Sequence, residues 1–131
     1  MKREIKFRAW DKLTQKYWNI ENWHFEDEYL DLIESGVSIA DPNSERVWRK
    51  LNEVELMQYT GLKDMNGVDI YEGDVVKFDT NVQILESEVT YYHGMFTIKK
   101  YGEKIPLFTA LKVIGNRFEN PELLEVTDNE L

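Results

Sequence analysis

Four carboxylates fall within the stretch TGLKDMNGVDIYEGDVVKF, residues 60 to 78: Asp64, Asp69, Glu72 and Asp74. At such density they could supply a divalent-metal site or an acid–base pair, provided that several oxygens converge on one point. The spacing argues otherwise. Asp64-Met65-Asn66-Gly67 opens like a calcium loop, but the later ligands and the closing Glu of that motif do not follow. Asp69 and Glu72 are also free to project differently around a turn. The same stretch holds three glycines and two turn-forming pairs, Asn66-Gly67 and Glu72-Gly73. Asp64, Asn66, Gly67, Gly73 and Asp74 are therefore read as structural turn residues, with Asp64 and Asp74 as caps. No metal ligand is assigned.

Other chemistry finds less support. The two histidines, His24 and His93, are remote from each other, and the chain has no cysteine. Zinc sites, disulfide frameworks and cysteine nucleophiles fall away together. The glycines do not form a phosphate loop or a dinucleotide fingerprint, which disfavours ATP-driven and hydride chemistry. No catalytic residue and no cofactor is assigned.

A binding surface is better founded. Residues 1 to 20 carry Lys2, Arg3, Lys6, Arg8, Lys12 and Lys16 against Glu4 and Asp11, on a chain of net charge −9. Trp10, Tyr17, Trp18 and Trp23 lie among or just beyond these cations. Basic grooves with exposed rings are how small barrels hold single strands. Lys6, Arg8, Trp10, Lys12, Lys16 and Trp18 are thus the candidate surface. The overall charge opposes nucleic acid, and the segment ENWHFEDEYLDLIE and the tail from Glu119 are acidic. A protein partner or another copy of the chain is preferred, with nucleic acid as the alternative and an enzyme with an unrecognised site third.

The elements that must position these residues read as mainly β. At 131 residues the chain fits one domain, 1–131, with enough apolar and aromatic residues for a core. REIKFRAW alternates with Ile5, Phe7 and Ala9 on one face and Glu4, Lys6 and Arg8 on the other, the period of a half-buried strand. It predicts a hairpin over residues 3 to 20. Tyr29, Leu30, Leu32 and Ile33 sit at helical spacing, with Gly36 after them, and predict a short helix within 21–36. ERVWRKLNEVELMQY favours extended structure. In 60–78 a turn at 64–67, a strand from Val68 to Tyr71, a reversal at Glu72-Gly73 and a strand from Asp74 follow one another.

SEVTYYHGMFTIKK predicts a two-residue turn at His93-Gly94. Tyr92 then faces Met95, Tyr91 faces Phe96, Thr90 faces Thr97, Val89 faces Ile98 and Glu88 faces Lys99. Val89, Tyr91, Phe96 and Ile98 would share one apolar face. PLFTALKVIGN supplies a further strand, and Asn120-Pro121-Glu122 has the form of a helix start.

Three blocks, IKFRAWD (5–11), LMQYTGLKDMNGVDIYEGDVV (56–76) and VIGNRFENPELL (113–124), together resemble the YopX family of phage and prophage proteins. Residues 21 to 50 and 79 to 105 lie outside the resemblance. It implies a β-rich, barrel-like domain of phage origin, and it brings no catalytic residues with it. The expectation is a mainly β protein (α+β at most): a single small barrel-like β domain with tight hairpins and one or two short helices. It would act as an intracellular, cytoplasmic accessory protein in the bacterial host. The opening MKREIKFRAW lacks the apolar run of a signal peptide, and no stretch reaches membrane-spanning length.

Overall fold

The structure is a computed structural model that describes residues 4–34 and 41–124. Strands make up 58% of the described residues, so the mainly β expectation holds, with one short helix at 121–124. The strands associate in several antiparallel sheets, and among the described residues they do not close into a barrel. No helix among the described residues is long and apolar enough to cross a membrane.

The chain folds as two compact units, the first of them Lys6–Gln58. In this unit β1 (Phe7–Asp11) pairs with β2 (Lys16–His24), β2 with β3 (Tyr29–Glu34), and β3 with β4 (Arg46–Lys50). A 3-10 turn over Leu51–Glu53 leads into β5 (Val54–Lys63), whose first half returns alongside β1. The expected first hairpin is therefore present, turning over residues 12 to 15. Ile5 lies ahead of the strand and is exposed, whereas Ala9, Trp10 and Asp11 are all buried.

The helix expected within 21–36 does not form; its described residues belong to β2, the following turn and β3. The spacing of Tyr29, Leu30, Leu32 and Ile33 fits either period, and pairing with β2 and β4 decides for the strand. Leu30 and Leu32 then point together into a core with Ala9, Trp18 and Val54. Glu28, at φ 55°, turns the chain between β2 and β3, and a bulge between Ile20 and Asn22 adjusts the register. Gly36, the expected helix stop, lies outside the described residues.

The second unit is the remainder of the described chain. The second half of β5 pairs with β6 (Asp69–Tyr71). β7 (Asp74–Asp79) lies between β12 (Lys112–Asn116) and β8 (Ile84–Glu88), and β10 (Met95–Lys100) lies between β9 (Thr90–Tyr92) and β11 (Glu103–Pro106). A separate core gathers Ile70, Val76, Phe78, Val89, Ile98 and Leu111.

The β9–β10 hairpin keeps the expected register for Tyr92–Met95, Tyr91–Phe96 and Thr90–Thr97. His93 and Gly94 both take positive φ, as a two-residue turn of this kind requires. The threonine hydroxyls meet at 3.2 Å. Two expected pairings give way, because the chain changes sheets at Val89. Val89 exchanges backbone hydrogen bonds with Gly73 and Asp74, the Lys99 N–H donates to Ser87 Oγ, and Glu88 pairs with Arg117. Tyr91, expected on the buried face, is exposed.

Candidate functional site

Two of the carboxylates of residues 60–78, Asp64 and Asp74, are taken up by backbone N–H groups around them. Asp64 is buried, and its Oδ1 accepts the N–H groups of Asn66 and Val68 at 2.8 and 2.9 Å. Its Oδ2 accepts the N–H of Val113, 49 residues away, at 2.9 Å. One side chain thus closes the 64–67 turn and ties it to β12. Burial by itself would raise the Asp64 pKa; the three N–H donors outweigh it, assisted by the charge of Lys112, and hold the group below the ordinary carboxylate range.

Gly67 takes φ +80° in the same turn, and Gly73 takes φ 90° in the next. There Asp74 Oδ2 accepts the Tyr71 N–H at 2.8 Å. Asp69 pairs instead with Lys63 at 3.1 Å. The structure places Asp64, Asn66 and Gly67 in the first of these turns and Gly73 and Asp74 at the second. Among the described residues no group of three or more His, Asp or Glu side chains is arranged to hold a metal ion.

Two further knots of this kind were missed in the sequence. Asp11 is fully buried, and it accepts the Thr14 hydroxyl at 2.6 Å, the N–H groups of Leu13 and Thr14, and Arg49 Nε at 2.9 Å. Burial pushes its pKa up; the Thr14 and Arg49 hydrogen bonds, the Leu13 N–H and the Arg49 charge more than reverse this. Near the other end, Asn116 Oδ1 accepts the N–H groups of Phe118 and Glu119, and the Asn116 N–H donates to Asn120 Oδ1. A Cβ at Gly115 would come within 2.5 Å of that Asn120 oxygen, so this glycine is needed for space. Asp11, Asp64 with Asp74, and Asn116 fall one in each of the three sequence blocks 5–11, 56–76 and 113–124. Those blocks carry the joints of the fold.

The basic N-terminal hairpin is largely closed upon itself. Trp18 is fully buried and Trp10 is only 6% exposed, so the rings expected on its surface belong to the interior. Arg8 lies 4.4 Å over the Tyr17 ring and is half-buried, as is Lys6. Lys12 pairs with Glu55 at 3.3 Å and donates to the Asn52 carbonyl. Lys16 lies 4.5 Å over the Trp18 ring and 3.8 Å from Glu45. The candidate residues Lys6, Arg8, Trp10, Lys12, Lys16 and Trp18 lie on or beside one hairpin, but Arg8, Lys12 and Lys16 have rings or carboxylates of the same fold against them.

The open surface lies further along the same sheet, on β2–β4. Strand alternation that sends Leu30 and Leu32 into the core sends Tyr29 and Asp31 to the opposite face. The β3 register sets Asp31 beside Asn22 and Trp48, and Tyr29 beside His24 and Lys50. Trp48 is 61% exposed. Its ring meets that of Tyr29 nearly at right angles, 79° with centroids 6.1 Å apart. His24 stacks on the other aromatic, Tyr29, at 4.0 Å, and its Nε2 lies 2.9 Å from Asp31 Oδ2. A carboxylate only accepts, so Nε2 carries the proton of that bond. Tyr29, Asp31 and Trp48 together line a shallow depression of about 370 Å³. Beside it Arg46 reaches Glu21 at 3.2 Å.

The edge of this sheet is already guarded. Ladder bonds at Glu34–Glu45 and Leu51–Glu28 bracket the β3–β4 pair. By the alternation of antiparallel ladders, the backbone groups of Trp48 and Lys50 therefore point away from β3. Arg49 donates to the Trp48 carbonyl and Glu53 accepts the Lys50 N–H. Such self-capping blunts strand addition and leaves side chains on the face as the means of contact. The alternation of Tyr29 and Asp31 with Leu30 and Leu32 was the signal in the sequence that could have located this face; Ile33, next in that period, is buried.

Comparison with known proteins supports the fold. A family model described as YopX protein matches residues 6–125, taking in both units. The chain is also similar to a solved crystal structure, that of protein EF1440 from Enterococcus faecalis, with a TM-score of 0.63 and 26% identity. That likeness covers 94% of this chain and 99% of the other. Among curated proteins no match is found.

Proposed function

We propose, for a chain that belongs to the YopX family, a role in binding another protein or a second copy of itself. The role is that of an accessory protein, encoded by a phage or prophage and acting in the cytoplasm of the bacterial host. The observation that carries the reading is Trp48, 61% exposed on a sheet face whose opposite side is core. A large ring left in water beside a second aromatic is the usual form of an interface anchor. The basic hairpin offers less, since its tryptophans are interior and its lysines already have acidic or aromatic neighbours.

The test is affinity capture from phage-bearing bacteria, with and without nuclease, using the full chain and its Trp48→Ala variant. Capture of the same protein with and without nuclease, lost in Trp48→Ala, is the expected result. Material that disappears with nuclease yet survives Trp48→Ala would move the function to nucleic acid and away from this face.

A further inference from the structure

We propose that the depression lined by Tyr29, Asp31 and Trp48 receives a lysine or arginine side chain from a basic segment of a partner protein. The inference rests on the protein-binding reading and names the chemistry of the partner. Two rings near a right angle, 6.1 Å apart at their centroids, flank the depression and one carboxylate closes the set; His24 covers one face of Tyr29, so Trp48 is the more open of the two rings. A cation gains from the rings and from Asp31 together. A neutral apolar side chain would strip water from Asp31 without replacing its hydrogen bonds, and an anion would be repelled.

The surroundings carry the same sign. Residues 21 to 34 hold six carboxylates and neither lysine nor arginine. β4 places two basic residues in register on this face: Arg46 is held by Glu21, and Lys50 stands beside Tyr29, one pair along from Asp31 and Trp48. Asp31 accepts a hydrogen bond from His24 Nε2 and stays about one-third exposed, so its carboxylate still faces solvent beside the two rings. His24 acts as a positioning residue: one ring nitrogen fixes the carboxylate while the ring itself supports Tyr29. The site is preformed, so little ordering opposes entry of a ligand.

The depression is shallow and open, which suits a side chain delivered by a polypeptide that covers the remaining face. A free cation would find too few contacts there. A different protein is the donor we commit to, since Arg8, Lys12 and Lys16 of this chain's basic hairpin already lie against its own rings and carboxylates. A donor on a second copy would show as self-association that needs Trp48.

The experiment is titration of the full chain, followed by the Trp48 indole N–H and Tyr29 ring resonances. The probes are short glycine peptides bearing lysine, arginine or glutamate, and tetramethylammonium as a free cation. Lysine or arginine peptides should shift both residues saturably, while glutamate peptides and tetramethylammonium at equal concentration do not. Trp48→Ala and Asp31→Asn should each weaken binding about ten-fold. His24→Ala should weaken it less, with a loss of order in the Tyr29 signal.

Equal binding of glutamate and lysine peptides, or an unchanged affinity in Asp31→Asn, would overturn the proposal. So would tetramethylammonium binding as tightly as the peptides, or self-association abolished by Trp48→Ala. If basic peptides fail while cellular capture still depends on Trp48, the cation assignment falls and the protein-binding reading stands. If Trp48 matters to neither, both fall.

Discussion

Residues 60–78 and the outer face of β2–β4 use the same materials to opposite ends. Both gather carboxylates with aromatic residues, and each has an Asp whose partners can be compared, Asp64 and Asp31. Asp64 accepts three backbone N–H groups and is buried; Asp31 accepts one imidazole and a distant amide, and remains about one-third exposed. In the first region the fold has used the hydrogen-bonding capacity of its acid. In the second, capacity remains, next to rings that water still reaches. Density of acidic residues therefore marks neither chemistry nor its absence. What matters is whether the backbone has already taken the oxygens.

The sharpest way to break the comparison is to remove the acid at its most committed position. Asp64→Ala leaves the N–H groups of Asn66, Val68 and Val113 without their acceptor in a largely buried place. We expect a loss of about 3 kcal/mol in urea unfolding. The same group should govern the acid limb. In the unfolded chain an aspartate protonates near pH 3.9, whereas Asp64 and Asp11 stay ionised to lower pH in the fold. Below about pH 4 the unfolded state then binds more protons, so stability is full above that pH and falls as pH drops through the folded values. Asp64→Asn should flatten this fall between about pH 4 and 2. An acid limb as steep as the parent's would show that its carboxylate is not a source of stability.

A smaller effect tests the turn apart from its acid. At Gly67 a Cβ would meet nothing within 4 Å, so Gly67→Ala isolates the cost of φ +80° for an L residue. About 1 kcal/mol is expected by chemical denaturation. An unchanged midpoint would mean that the turn relaxes, and the glycine would lose its role in 60–78.

The difference between the two regions also explains what could be read from the sequence. The turns of 60–78 and the His93-Gly94 hairpin were legible because their signals are local: Asn-Gly and His-Gly pairs, caps and a period of two. The three blocks that resemble the YopX family hold the turn signals of 60–78 and the joints Asp11, Asp64, Asp74 and Asn116, whereas the His93-Gly94 hairpin lies outside them. Asp11 was nonetheless missed, because its partner Arg49 stands 38 residues away. The β2–β4 face was missed for a related reason. Its spacing suits helix and strand equally, and only pairing with β2 and β4 reveals that Tyr29 and Asp31 share a surface with Trp48. Burial of Trp10 and Trp18 was equally non-local, since a tryptophan beside lysines reads as exposed until the core that needs it is known.

The smallest expected effect is the one that holds the comparison together. A residue kept for contact with a partner should matter little to the free fold. Trp48 leaves most of its surface in water, touches Tyr29 edge-on and stands opposite Asp31, away from the cluster of Ala9, Trp18, Leu30 and Leu32. Removing such a ring creates no cavity, and it takes away one aromatic contact that solvent already weakens. Trp48→Ala should therefore change unfolding free energy by only about 0.5 kcal/mol. Asp31→Asn should do no more, because its amide oxygen can still accept from His24 Nε2. Both variants are measured by urea denaturation alongside Asp64→Ala, at neutral pH and equal salt. A loss of about 2 kcal/mol or more in Trp48→Ala would mean that the outer face carries the stability of the unit, as 60–78 does. The exposed ring would then be explained by the fold, and the binding site would have to be sought elsewhere.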